Sequence, residues 1–325
     1  MSFLNKKTSD SYEENRIPDI PLSEVFDTVL LFFPEITQSE VKFLYHGTYN
    51  VFEVKQAYIF RFPDKNFRNE SGVKLIRNEV KILNSIREFI SYSIPEPEYI
   101  SFDPDNPFMG YKKIEGLSLS RCFESSPMDD LLKVGKEIAR FLSELHSKEL
   151  LNKLVDNEIL SGEFSPISYR AYWNNYYEMV EERIFPLLSK PEREWVYLLF
   201  SRFLDNKANF HFNPVVIHGD FDISNILIDP NTYKVTGVID FENTRMDDPA
   251  ADFLFFEEGP KFLNQIILNY KGITDSNFEE RQRFLFGRTF LAYIEFGMTH
   301  EMEDMVNWGL NRLRIIMDFF NIEKI

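Results

Sequence analysis

Apolar side chains at Leu22, Val25, Phe26, Val29, Leu30 and Phe33 recur every three to four residues, which predicts a helix over Leu22–Phe33. The period then shortens. Val41–Leu44 and Val51–Val54 predict strands around a turn at His46–Asn50, and Ala57–Pro63 predicts a third strand. Helical spacing returns at Val73, Ile76, Val80, Leu83 and Ile86, for a helix over Gly72–Phe89. Tyr99–Phe102 and Phe108–Ile114 read as two more strands. From Asp129 onward helices dominate, at Leu131–His146, Tyr169–Leu188, Glu192–Asp205, Phe284–Phe296 and Met302–Phe320. A short β insertion interrupts them, with strands at Val215–His218, Ile226–Ile228 and Val235–Ile239 and a turn at Asp229–Asn231. Residues 1–20 are polar and charged and predict a frayed start.

The change from strands to helices near residue 115 predicts an α+β, bilobal fold. A small N-terminal lobe with an antiparallel sheet spans residues 1–111, a linker spans 112–116, and a larger helical lobe spans 117–325.

Composition narrows the class. A chain of 325 residues with 44% hydrophobic and 27% charged residues reads as soluble and globular, and the 33 Phe and 15 Tyr read first as core filler. The net charge of -16, with no Lys/Arg stripe to reverse it locally, excludes a nucleic-acid partner. The same field suits cationic small molecules, or serves solubility alone. Cys122 is the only cysteine, so no intrachain disulfide or zinc cluster can form, and a reducing cytoplasm fits. Met1–Asp19 lacks an apolar signal region, and no run of 18 apolar residues occurs, so neither secretion by that route nor a membrane span is expected. No obligate protein partner is evident.

The most informative stretch is Val215–Ile228. An apolar strand delivers the polar loop His218-Gly219-Asp220-Phe221-Asp222-Ile223-Ser224-Asn225, and a second apolar strand leaves it. Asp220 and Asn225 lie five residues apart, and fifteen residues later Val238-Ile239-Asp240-Phe241 ends another apolar strand in a carboxylate. Phosphoryl transfer requires this layout: one carboxylate to take the proton of an attacking hydroxyl, and a neutral oxygen donor plus a second carboxylate to hold Mg²⁺ against phosphates. The bland alternative is a simple hairpin turn at Asp220 and Asn225.

These residues resemble the motifs of the aminoglycoside phosphotransferase and choline kinase superfamily, which has the protein-kinase-like fold. The matching positions are His218, Gly219, Asp220, Asn225, Ile239, Asp240, Phe241, Asp248, Pro249, Asp252 and Phe253, and the resemblance covers about residues 35–320. It is similar to the aminoglycoside 2″-phosphotransferase group in particular, through Tyr58–Pro63 and Phe141–Ser147. The resemblance implies a kinase that moves the γ-phosphoryl group of ATP or GTP to a small-molecule hydroxyl. It implies Asp220 as catalytic carboxylate, Asn225 and Asp240 as Mg²⁺ ligands, Asp252 as a brace and His218 as an anchor of the loop.

On the nucleotide side it implies Arg61 as the basic residue that meets the phosphates, where many relatives carry Lys. Glu79 would be its partner, or an ordinary solvated helix charge. Thr48, in the turn holding Gly47, could contact phosphate. The base would bond the backbone of Lys112 and Ile114 with Tyr111 behind it, and the bulk of Tyr111 could favour GTP or simply fill the core.

Aminoglycoside enzymes line their pocket with carboxylates because the substrate is polycationic. The candidates here are Asp222, Glu242, Glu257, Glu258 and Glu295, with Phe255–Glu258 placed on a pocket-lining helix. Each could also be a solvated charge. The close group often reads Ile-Asp-Phe-Gly-Asp at the metal strand, where this chain has Ile239-Asp240-Phe241-Glu242-Asn243. Other acceptors in the superfamily are choline, homoserine, macrolides and sugars. A copy without catalysis would be a nucleotide-binding module.

Overall fold

Successive side chains of a strand point to opposite faces, so β3 (Tyr58–Pro63) sends Phe60 and Phe62 one way and Ile59 and Arg61 the other. In the computed structural model, which describes residues 17–160 and 164–319, β3 is the centre of an antiparallel sheet of order β1-β2-β3-β5-β4. It lies between β2 (Tyr49–Val54) and β5 (Phe108–Lys112), with β1 (Val41–His46) and β4 (Pro97–Ser101) at the edges. One face carries Phe52, Phe60, Phe62 and Phe108, covered by Val25 and Val29 of α1 (Leu22–Leu30). The other carries Val51, Ile59, Met109 and Tyr111, packed against Ile76, Leu83 and Ile86 of α2 (Glu70–Ile86). A Cβ on Gly110 would stand 2.9 Å from the Phe60 ring, which explains a glycine in the middle of β5.

Of the frayed start expected for residues 1–20, residues 1–16 lie outside the described residues. From Ile17 the chain is tied down, contrary to that expectation. The Ile17 carbonyl accepts from His46 Nδ1 at 2.8 Å, and Asp19 accepts from Asn50 Nδ2 and from Arg68 at 2.6 Å each. Ile20 is buried in the core under the sheet.

The second lobe is built on α3 (Met128–Leu145), α4 (Lys148–Asp156), α5 (Pro166–Met179) and α6 (Lys190–Asp205), and later α7 (Pro260–Asn269), α8 (Phe278–Thr299) and α9 (Glu303–Phe319). The α+β, two-lobed fold expected from the sequence is the one observed. Details differ. The helix predicted over Tyr169–Leu188 stops at Met179, widens into a π turn over Val180–Ile184, and closes in a 3₁₀ turn containing Pro186, which has no N–H to donate. The predicted insertion is two sheets. β7 (Val215–Ile217) pairs with β10 (Arg245–Asp247), while β8 (Ile226–Ile228) lies between β6 (Leu117–Ser118) and β9 (Val235–Val238). Phe255–Glu258 forms a turn before α7, not the expected helix. The end of the last predicted helix, Phe320, lies outside the described residues.

Candidate active site

The loop after β7 is held from below. His218 is fully buried, and its Nε2 lies 3.0 Å from the Ile239 carbonyl; a carbonyl can only accept, so Nε2 carries the proton. Burial pushes the imidazole below its ordinary pKa, and its Nδ1 has no partner among the described residues, so the neutral ring anchors the loop through Nε2. The amides of His218 and Gly219 donate to Asp252 at 2.7 and 3.0 Å, and His146 Nε2 donates to it at 3.0 Å. Burial would raise the Asp252 pKa, but His146 and the Gly219 amide more than offset it and hold the carboxyl below its usual range.

Gly219 sits at φ 84°, and a Cβ there would come 2.4 Å from the Asn243 carbonyl. That sharp turn sends Asp220 outward, where it is exposed. Asn225 Nδ2 donates to the Asp220 carbonyl at 2.9 Å, closing the loop and leaving Asn225 Oδ1 as a neutral oxygen donor. Asp222 accepts from the Ser224 amide and hydroxyl at 2.5 Å each, which caps the same loop.

Asp240 follows β9 with φ 71°, a left-handed conformation that costs a non-glycine residue on the order of 1–2 kcal/mol. The buried Phe241 ring, 4.7 Å from the His218 ring, fixes the next position. Asp240 Oδ1 accepts from Arg61 Nη2 at 2.9 Å, and Arg61 Nη1 donates to Glu79 Oε1 at 2.6 Å. The guanidinium lies 4.1 Å over the Tyr49 ring, and Glu242 Oε2 is 3.6 Å from Arg61 Nη2. Burial would lower the Arg61 pKa, but Glu79 and Asp240 reverse this and keep it charged. Burial, joined by Asp240, pushes Glu242 up to about 8 against the pull of Arg61. Tyr111, buried on the same face of the sheet, has its hydroxyl pKa raised by burial.

Asp220, Asp240, Glu242 and Glu79 thus act on one another around the single Arg61 guanidinium. That surplus of negative charge, with the Asp240 carboxylate and the Asn225 amide oxygen as hard donors, fits a small divalent cation.

Beside this cluster opens a cleft of about 810 Å³. Thr48 of the β1–β2 turn, Asp220, Asp222, Glu242, Glu257 and Glu258 all line it. The buried Arg61, Glu79 and Tyr111 and the half-buried Asp240 lie behind Glu242, which reaches the cleft. Glu295 is not among the lining residues; it faces Arg183, with 4.0 Å between Oε1 and Nη1. Glu257 forms an ion pair with the buried Arg312. Lys112 and Ile114 lie at the end of β5. The Lys113 amide donates to the Ala57 carbonyl at 2.8 Å, so by antiparallel alternation the backbone groups of Lys112 and Ile114 point away from β3.

Sequence reasoning missed Tyr49, the platform under Arg61. The available signal was its place in β2, where period-two alternation sets it on the same face as Val51. It also missed the aromatic walls of the cleft, among them Trp173, Phe286, Tyr293 and Trp308.

A small lobe with a five-stranded sheet, a helical lobe, and an Asp–Asn loop facing a second Asp define a protein-kinase-like small-molecule phosphotransferase. The model of the phosphotransferase enzyme family matches residues 40–264, and the chain belongs to that family. Its fold is shared with aminoglycoside 2″-phosphotransferase IIIa, solved with GDP and kanamycin: TM-score 0.78, 22% identity, covering 90% of this chain and 97% of that one. Aminoglycoside 2″-phosphotransferase IIa, solved with gentamicin, aligns with TM-score 0.69 at 19% identity over 91% and 97% of the two chains. A macrolide 2′-phosphotransferase of type I aligns with TM-score 0.69 at 18% identity over 91% and 98%.

Proposed function

We propose that this chain transfers the γ-phosphoryl group of ATP or GTP, bound with Mg²⁺, to a hydroxyl of a small molecule held in the 810 Å³ cleft. The observation that carries the reading is the Asp220–Asn225 loop, closed on itself and bonded to Ile239, next to the Asp240–Arg61 contact. Asp220, exposed at the end of the clamped loop, takes the hydroxyl proton. Asp240 and Asn225 would hold the cation, which supplies charge neutralisation at the phosphates. Arg61 and the Thr48 turn meet the phosphates, and the backbone groups of Lys112 and Ile114 that point away from β3 receive the base, with Tyr111 behind it. This reading divides the chain as residues 1–111, 112–116 and 117–325, and sets it in the cytoplasm, in keeping with its single Cys122. Among the described residues no helix is long and apolar enough to cross a membrane.

For the acceptor, the geometry favours a molecule with a broad apolar face, because aromatic side chains form much of the cleft wall. The polycation reading, with an aminoglycoside as acceptor and antibiotic resistance as its role, is supported by the relatives crystallised with kanamycin and gentamicin. Within the cleft it rests on Asp222 and Glu258, since Glu257 is neutralised by Arg312 and Glu242 belongs to the Arg61 cluster. A phosphorylation assay with Mg²⁺ and either nucleotide, run over aminoglycosides, macrolides and neutral amphipathic alcohols, tests the proposal. Transfer to none of them, with no nucleotide hydrolysis, overturns it and leaves a nucleotide-binding module.

A further inference from the structure

We propose that the acceptor carries an anionic oxygen group, such as a carboxylate, that docks on Arg288; the proposal rests on the reading of the cleft as the acceptor site. Arg288 lies on α8 with Leu285, Thr289 and Ala292, which spacings of three and four residues bring to the face that lines the cleft. Three arginines line this cleft. Arg245 is paired with Asp247 at 2.9 Å, and Arg312 with Glu257. Arg288 has no ion pair and no hydrogen bond among the described residues, and its Nε is buried without a partner.

The three carboxylates that share a neighbouring tyrosine with it each face another arginine. Asp247 and Asp248 act with Arg288 on Tyr169, and Glu295 acts with it on Tyr176. Asp247 is held by Arg245, Asp248 by Arg281 at 2.6 Å, and Glu295 faces Arg183. The Trp173 ring sits 5.4 Å from the guanidinium and holds it from one side. Its Nε is closed off from the cleft, so the groups a ligand can meet are the terminal N–H pairs of this half-buried guanidinium, for which no described residue supplies an acceptor. Its planar fork matches a carboxylate, and the aromatic walls next to it match an apolar body. A polycation would instead meet this uncompensated positive charge.

The test is calorimetric titration of the full chain with three matched probes, 6-hydroxy-2-naphthoate, its carboxamide and its aminomethyl analogue, with and without Mg²⁺ and a non-hydrolysable nucleotide. The naphthoate is expected to bind at least about tenfold tighter than the carboxamide, with the aminomethyl compound weakest. Arg288→Leu should bring naphthoate and carboxamide within about twofold, and Arg288→Lys, which keeps the charge without the fork, should fall between. Equal binding of the three probes, tighter binding of the cation, no binding of any probe, or a preference that survives Arg288→Leu overturns the proposal. Failure of the kinase reading shows separately, as absence of Mg²⁺-nucleotide binding by the parent chain in the same instrument.

Discussion

Arg61 and Asp240, separated by 179 positions in sequence, meet at 2.9 Å and join the central strand of the small lobe to the residue that follows β9. The contact depends on two independent features. Strand alternation points Arg61 toward the α2 face of the sheet, and the left-handed backbone of Asp240 turns its carboxylate back toward it.

Removing the guanidinium leaves Glu79 buried as an uncompensated charge. Arg61→Met should therefore cost roughly 3–5 kcal/mol of stability. Arg61→Lys keeps the charge but can direct its ammonium to one carboxylate at a time, so an intermediate loss is expected. Denaturant unfolding of the three proteins measures this, and unfolding curves that superimpose would show that the pair is not structural.

Asp220→Ala should lower kcat by at least ~10²-fold, the range for a positioned acid–base group. The nucleotide KM should change little, because Asp220 faces the cleft and not the Arg61 contact. Steady-state kinetics decide it, and a variant with parental turnover would remove Asp220 from the chemistry.

Asp240→Asn should shift the Mg²⁺ requirement to higher concentration and cut turnover, since a charged oxygen donor becomes neutral. Titrating Mg²⁺ against initial rate in both proteins checks this. Superimposed curves would mean that Asp240 does not hold the ion.

Asp252 predicts a pH dependence of stability. Its folded pKa is depressed, so it contributes stability above its unfolded value of about 3.8, and that contribution is lost as pH falls through the lower folded value. Asp252→Asn should lower Tm at neutral pH, and the gap between parent and variant should begin to narrow below about pH 4. Thermal denaturation from pH 3 to 7 follows this, and a gap independent of pH would assign the loss to packing alone.

Glu257→Gln should lower Tm by leaving the buried Arg312 without its counter-charge, at a cost of about 1–3 kcal/mol. Adding Arg312→Met should recover part of that loss, because both buried charges are then gone. An unchanged Tm in the single variant would free Glu257 for the acceptor.

The elements were legible wherever the apolar period was strong. β2, β3, α2 and the strand–loop–strand at Val215–Ile228 fall close to where alternation and helical spacing put them, because burying one face of an element forces a period on its sequence. α4 and α7 were not anticipated, and Phe255–Glu258 was expected as helix but is a turn. Short segments carry too few periods to separate from loop, and their boundaries come from packing against neighbours.

For the candidate site, the local spacing of Asp220, Asn225 and Asp240 already pointed to phosphoryl transfer, since one loop and one strand end carry all three. The fates of the acidic residues could not be read in the same way. Glu242, Glu257 and Glu295 look alike in sequence, yet one is pressed against Arg61, one is paired with Arg312 and one faces Arg183. Each partner comes from a distant segment, so nothing local records it.

The sequence by itself determined the α+β fold and the strand–loop–strand that carries Asp220 and Asn225, because both are written in periods and spacings of fewer than about twenty residues. Tertiary structure alone decided which charges remain available. Burial and ion pairing act through contacts between segments far apart in the chain, and those contacts leave Arg288, which no sequence pattern singled out, as the cleft arginine without a counter-ion among the described residues.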